Sequence, residues 1–263
     1  MKLFEIKTAN ANIIKILIDG IKDILTESTF VIGSDGIRVT DLNNKQIVMV
    51  KLFLDRDQFE EYNFTEETDV SVETITFNQI LKRANSGDLL TLSMDDSNRS
   101  QLTIRIDNCK NGSTSTSRMK LSDLDTSVYD IKQVDYSSVI TLPSTSFQQI
   151  CRDMKHASQI VITKVDNELQ FQCDFEGSST EVTFNVNSSN SGENDESKLR
   201  YLKNDKPAEI YRGVFLIEPL LSFTKFTGLC NFVELYFKNN CPLIVKYSVA
   251  SLGTISLCLA QKM

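Results

Sequence analysis

Over most of the chain hydrophobic residues recur at every second position, the pattern of strands that bury one face. The segments that show it are Phe30 to Ile32, Ile37 to Val39, Ile47 to Leu54, Leu89 to Met94, Leu102 to Ile106 and Val139 to Leu142, then Ile160 to Thr163, Leu169 to Phe175, Val182 to Val186, Phe232 to Phe237, Leu243 to Val249 and Thr254 to Leu259. Turn chemistry such as Ser34-Asp35-Gly36 and Asp166-Asn167 separates them, as antiparallel hairpins require. Asp95-Asp96-Ser97-Asn98 looks like the opening of a calcium loop. Ser100 and Ile106 stand where that loop needs Gly and a bidentate Glu, so a polar hairpin turn is expected instead.

Four segments change to helical spacing. From about Asn12 to Leu25, Ile13, Ile14, Leu17, Ile18, Ile21, Ile24 and Leu25 form one stripe, with Lys15, Asp19, Lys22, Asp23 and Thr26 opposite. A second helix opens at Pro143-Ser144, with Ser144 expected as N-cap, and sets Phe147, Ile150, Cys151 and Met154 against Gln148, Arg152 and Lys155. Shorter helices are predicted over Phe77 to Ala84 and Phe215 to Phe226, the latter weakened by Pro219. The order strand, helix, strands, helix, strands thus occurs twice. It predicts two similar α+β domains, 1–119 and 136–263, joined by a linker over 120–135. The run Asn187 to Lys198 is too polar to bury a core and predicts a solvated loop.

Charge and missing motifs narrow the function. Asp and Glu number 35 against 28 Lys plus Arg, a net charge of −7, which argues against a uniformly basic surface but not against a basic patch. The six cysteines contain no C-x-x-C pair and there is one histidine, so no metal site is expected and the thiols are read as free. His156 sits near a helix end, where a solvated or dipole-compensating role is expected rather than catalysis. No phosphate loop, dinucleotide fingerprint or hydrolase elbow occurs, so neither a cofactor nor an enzyme activity is expected. Lys2, Glu5 and Lys7 interrupt any signal-like stretch, and Glu218-Pro219 breaks the most apolar later run. No membrane association is therefore expected, and the Asn-x-Ser/Thr matches at Asn63, Asn98, Asn111 and Asn187 are read as chance in an intracellular protein.

Several stretches resemble the proliferating cell nuclear antigen (PCNA) family of DNA sliding clamps. They are Asn12-Ile13-Ile14-Lys15 through Leu25, Ser34-Asp35-Gly36-Ile37, Lys120-Leu121-Ser122-Asp123-Leu124-Asp125, Leu142-Pro143-Ser144 with Ile150-Cys151-Arg152-Asp153, and Pro242 to Tyr247. The resemblance spans essentially the whole chain. It implies the DNA-clamp fold, with two helices packed on antiparallel sheets in each domain and a homotrimeric ring of six domains around duplex DNA. It also implies a processivity factor that works in the nucleus, or in a viral replication compartment if virus-encoded, with an ATP-dependent clamp loader as a partner.

Residue by residue, the resemblance implies a DNA-facing set of Lys15, Lys22, Lys82, Arg83, Arg152, Lys155 and Lys225, recurring threefold around the duplex as a sequence-blind lining. Ile16, Gln149 and Glu218 depart from the family toward a less positive lining. The implied subunit edges are Arg118-Met119-Lys120 and Val182, Phe184 and Val186, although the alternation there also fits interior strands. A groove for the PCNA-interacting motif of a DNA polymerase and other partners would use Leu42, Gln46, Met49, Tyr129, Ile131, Pro242, Leu259 and Ala260. Composition alone favours a buried core for Leu42, Met49 and Leu259. Two other readings remain: a subunit of a heteromeric, checkpoint-type clamp, and a β-rich interaction scaffold that does not touch DNA.

Overall fold

The structure is a computed structural model that describes residues 1–123, 134–186 and 199–262. The expected loop 187–198, and residues 124–133 of the expected linker, lie outside the described residues. Contacts divide the chain into two compact units, Met1–Asp130 with Ser248–Ile255, and Ile131–Tyr247 with Ser256–Met263.

The first unit runs β1 (Lys2–Thr8), α1 (Ala11–Ile21), β2 (Glu27–Ile32), β3 (Gly36–Leu42), β4 (Val48–Asp55), β5 (Glu61–Phe64), β6 (Thr68–Glu73), α2 (Thr74–Leu81), β7 (Leu89–Asp95), β8 (Asn98–Asp107) and β9 (Thr114–Lys120). The second runs β10 (Ser138–Pro143), α3 (Ser144–Asp153), β11 (Gln159–Val165), β12 (Glu168–Phe175), β13 (Ser178–Asn185), β14 (Arg200–Asn204), β15 (Tyr211–Leu216), α4 (Ile217–Phe223), β16 (Phe232–Phe237), β17 (Leu243–Val249) and β18 (Gly253–Leu259). Among the described residues, both follow one order: a strand, a helix, five strands, a helix, three strands.

Pairing repeats as well. The order β5-β1-β7-β8-β9 is matched by β14-β10-β16-β17-β18, and β4-β3-β2-β6 by β13-β12-β11-β15. The polar turn expected at Asp95 to Asn98 joins β7 to β8, with Asp95 opposite Asn98.

The helices form where the stripes predicted them, with ends set by local chemistry. α1 buries Ile14, Leu17, Ile18 and Ile21, and α2 buries Phe77 and Leu81. An 11-residue helix is marginal alone. Burial of this stripe, at roughly 1.5–3 kcal/mol per large side chain, is what holds it. α3 corrects the cap assignment: its N-cap is Pro143, while Ser144 is the first helical residue, buried, with its hydroxyl donating to the Cys230 carbonyl at 2.7 Å. Pro219 proves harmless because α4 begins at Ile217, which places the proline in the first turn, where a missing N–H breaks no intrahelical bond.

Two glycines are required by close approach. A Cβ on Gly36, whose φ is +143°, would lie 2.0 Å from the Leu54 carbonyl oxygen of β4. A Cβ on Gly253 would lie 2.0 Å from the Phe53 oxygen, and beside it the Asp55 amide donates to the Leu252 carbonyl at 2.8 Å. Both contacts belong to the first unit, where Ser248–Ile255 lies along β4.

Period-two burial also draws in a cation. Ile160, Ile162 and Lys164 share the buried face of β11, and Lys164 is 1% exposed. Its ammonium donates to the carbonyls of Pro207 at 3.1 Å and of Lys206 and Glu209 at 3.4 Å, and to Asn204 Oδ1 at 3.3 Å. Burial pulls its pKa down, against the attraction of Glu209 and Asp166.

Candidate functional site

Superimposing the repeats by their buried helical positions pairs Ala11, Ile14, Leu17, Ile18 and Ile21 of the first unit with Ser144, Phe147, Ile150, Cys151 and Met154 of the second. In that register Lys15 corresponds to Gln148, Ile16 to Gln149, Asp19 to Arg152 and Lys22 to Lys155.

Lys15 is turned inward along the helix pair. Its ammonium donates to the carbonyls of Lys82 at 3.2 Å and Ala84 at 2.8 Å, closing the carboxyl end of α2. Gln148 does the same in the second unit, donating from Nε2 to the Thr224 carbonyl at 3.3 Å, where α4 ends. This position is a clasp between helices, supplying partners to carbonyls that a helix end leaves unsatisfied. Lys15→Ala is expected to cost about 1–2 kcal/mol, since each lost bond is to a charged donor. A lowered urea midpoint with an unchanged slope would show it.

Lys22 is engaged differently. It follows α1 and pairs with Asp23 at 2.8 Å and Asp19 at 3.2 Å. Burial pulls the ammonium down, but hydrogen bonds to Asp23 and Asp19 outweigh that and raise its pKa. Asp19 is in turn fixed by Asn78 of α2, whose Nδ2 donates to Asp19 Oδ1 at 3.1 Å. Lys82 and Arg83 are exposed just beyond α2, with Arg83 donating to the Ser115 hydroxyl at 3.3 Å.

In the second unit Arg152, Lys155 and Lys225 are all exposed, the first two at the end of α3 and the third in the turn after α4. Gln149 donates to Asp153 at 2.6 Å. His156 is exposed and its ring lies 5.6 Å from that of Phe175. Burial pushes the Cys151 thiol up to about 12, so it is a packing group rather than a nucleophile.

The two expected edge segments are edges within their units. β9 pairs with β8 and ends its sheet; β13 pairs with β12 and ends its own. Arg118 and Lys120 are exposed on β9 with Met119 buried between them. On β13, Val182 and Phe184 are half-buried and Thr180, Glu181, Thr183 and Asn185 are exposed, while Val186 follows the strand as a core residue. Phe184 packs edge-on against Phe171 at 6.2 Å.

For the expected groove, Tyr129 and Ile131 lie outside the described residues. In the first unit Leu42 and Met49 are half-buried and face each other in register across β3 and β4, with Gln46 exposed in the turn between them. In the second unit Pro242 and Ala260 are exposed, but Leu259 is 1% exposed and belongs to the core. Burial on the inward side of β18 takes that side chain away from a ligand.

Sequence reasoning did not assign the helix clasp or the role of Asn78. The three-residue spacing of Asp19 and Lys22 on one helix was the available signal for their pairing.

Comparison with known proteins adds two findings. Residues 3–130 match the family model of the proliferating cell nuclear antigen N-terminal domain, and residues 130–262 match that of its C-terminal domain. The chain is 31% identical over 260 residues to a protein named "Probable DNA polymerase sliding clamp 1" of Paramecium bursaria Chlorella virus 1, covering 98% of this chain and 96% of that one. It is 27% identical over 261 residues to "Proliferating cell nuclear antigen" of Dictyostelium discoideum, covering 99% of each.

Proposed function

This chain belongs to the proliferating cell nuclear antigen family and is a DNA sliding clamp, and we propose that it works as a homotrimeric ring threaded by duplex DNA. The observation that carries this reading is the match of both halves, in order, to the two domains of that family. In this reading the two domains are 1–119 and 136–263, with 120–135 as the connector. The fold supports closure by a simple argument. In the repeat, β13 is the counterpart of β4, and β9 the counterpart of β18. β4 is accompanied by Ser248–Ile255, which includes the start of β18. Among the described residues β13 and β9 have no such companion within their units, and an exposed strand edge is a template for pairing. A β9 from one copy would give the β13 of the next what the start of β18 gives β4.

Charge agrees with the pairing: β9 presents Arg118 and Lys120, and β13 presents Glu181. Threading then supplies retention, so the contacts of Lys82, Arg83, Arg152, Lys155 and Lys225 with phosphate can stay weak and indifferent to sequence. Partners such as a DNA polymerase dock through short motif peptides in this reading, and the half-buried Leu42 and Met49 of the first unit supply apolar surface for them. The protein has no catalytic role in this reading, an ATP-dependent loader opens the ring, and the site of action is the nucleus or a viral replication compartment.

Solution mass and topology test the proposal. Light scattering should give three times the subunit mass of 29.7 kDa. Protein loaded on nicked circular duplex should survive a high-salt wash and leave once the circle is linearised. Loss of protein from intact circles in the same wash would refute threading.

A further inference from the structure

The two repeats treat the same helical position in opposite ways. At the end of α3 the second unit exposes Arg152 and Lys155. At the corresponding positions of α1 the first unit has Asp19 and Lys22, joined by an ion pair of 3.2 Å, and Asp23 adds a second carboxylate at 2.8 Å. The side chain of Lys22 is only 19% exposed as a result. Helix stability does not account for these acids. Asp19 is in the last turn of α1 and Asp23 just beyond it, where the helix dipole disfavours negative charge. Nor is Asp19 loosely placed. Asn78, buried on α2, spends a donor on Asp19 while its own Oδ1 has no partner among the described residues. That geometry fixes an anion opposite a cation on a surface that is otherwise expected to meet phosphate.

We propose that Asp19 and Asp23 act as internal substitutes for DNA phosphate at Lys22, so that contact there exchanges one anionic partner for another. The inference rests on the sliding-clamp reading and deepens it. A lysine that is unpaired gains its whole interaction from phosphate and holds the duplex in place. A lysine already paired gains only the difference, and the duplex can leave it with little change in energy. Asp19 and Asp23 are thus positioning residues that act through Lys22 and weaken grip at one site per subunit. The exposed Arg152 and Lys155 of the other repeat carry the attraction.

A double-mutant cycle tests this, with fluorescent linear duplex binding titrated across salt concentrations for wild type, D19N/D23N, K22A and D19N/D23N/K22A. Asparagine keeps the shape of aspartate, and circular dichroism checks the fold of each variant. D19N/D23N should bind about two- to fivefold tighter. Its slope of log affinity against log salt should steepen by up to about 0.9 for each Lys22 that reaches phosphate. The gain should vanish when K22A is added.

If D19N/D23N tightens binding equally with and without Lys22, the acids act only through net charge and the proposal is overturned. Unchanged affinity and slope in D19N/D23N, with wild type binding normally, overturns it too. Wild type that is lost from loaded, uncut circles in a high-salt wash would instead remove the threaded-ring reading on which the proposal rests.

Discussion

Gly36→Ala should lower the thermal midpoint by about 6–12 °C. The new methyl would lie 2.0 Å from the Leu54 carbonyl oxygen and 3.0 Å from the Arg56 amide nitrogen, both backbone atoms that no rotamer change can move aside. The backbone at φ +143° is also one that L side chains rarely adopt. Strain of that kind and the forced separation of β3 from β4 cost about 3 kcal/mol together, which for a chain of this size corresponds to that shift in midpoint. Gly253→Ala should do similar damage from the other side, against Phe53. Gly87→Ala is the control, because nothing lies within 4 Å of its Cβ position. It keeps a positive φ of +85°, so only the backbone part of the penalty should appear. Scanning calorimetry of the three variants separates the two contributions.

Arg118→Glu with Lys120→Glu should convert the trimer into monomers, with loss of topological retention on circular DNA. Both side chains are exposed on the edge strand β9, so the substitutions leave the core residue Met119 and the fold of the unit intact. In the proposed ring their effect would fall on the partner edge, where β13 presents Glu181 and like charges would face each other across the ladder. A weakening of about 100-fold in each junction is expected, since like charges set face to face across an interface cost several kcal/mol. Light scattering at micromolar protein checks the mass, and unchanged thermal melting of the isolated subunit would show that folding is not the cause. A variant that remains trimeric would place the junction elsewhere.

The parts of the fold governed by local pattern were open to sequence reading. The stripe of Ile14, Leu17, Ile18 and Ile21 set α1, and the alternation of Val48, Val50, Leu52 and Leu54 set β4, because burial of one face fixes both periods. Short strands such as β5, β6 and β14 were missed, since four to six residues with mixed polarity carry too little periodicity to separate strand from loop. Lys164 was missed for a different reason. Its position on β11 marks it as inward, but a lysine inside is tolerable only if several carbonyls converge on it, and those come from residues about 40 positions away.

The candidate site shows the same division. That β9 and β13 are edges follows from which strands pair, and alternation within Val182 to Val186 looks the same in an interior strand. Lys15, Lys22 and Arg152 read alike as cations on a polar helix face. Only the positions of Lys82, Ala84, Asp19 and Asp23 separate a helix clasp and a neutralised pair from an exposed charge.

In the proposed ring the borders that meet, β9 and β13, are different strands with different side chains, so copies would join nose to tail rather than face to face. Each subunit of such a ring would have a donor end and an acceptor end that can be damaged separately. A copy with a ruined β13 still offers a sound β9, joins a growing assembly once, and ends it. Expressed beside the intact protein, such a copy would act as a poison, because one member in three is enough to leave the circle open.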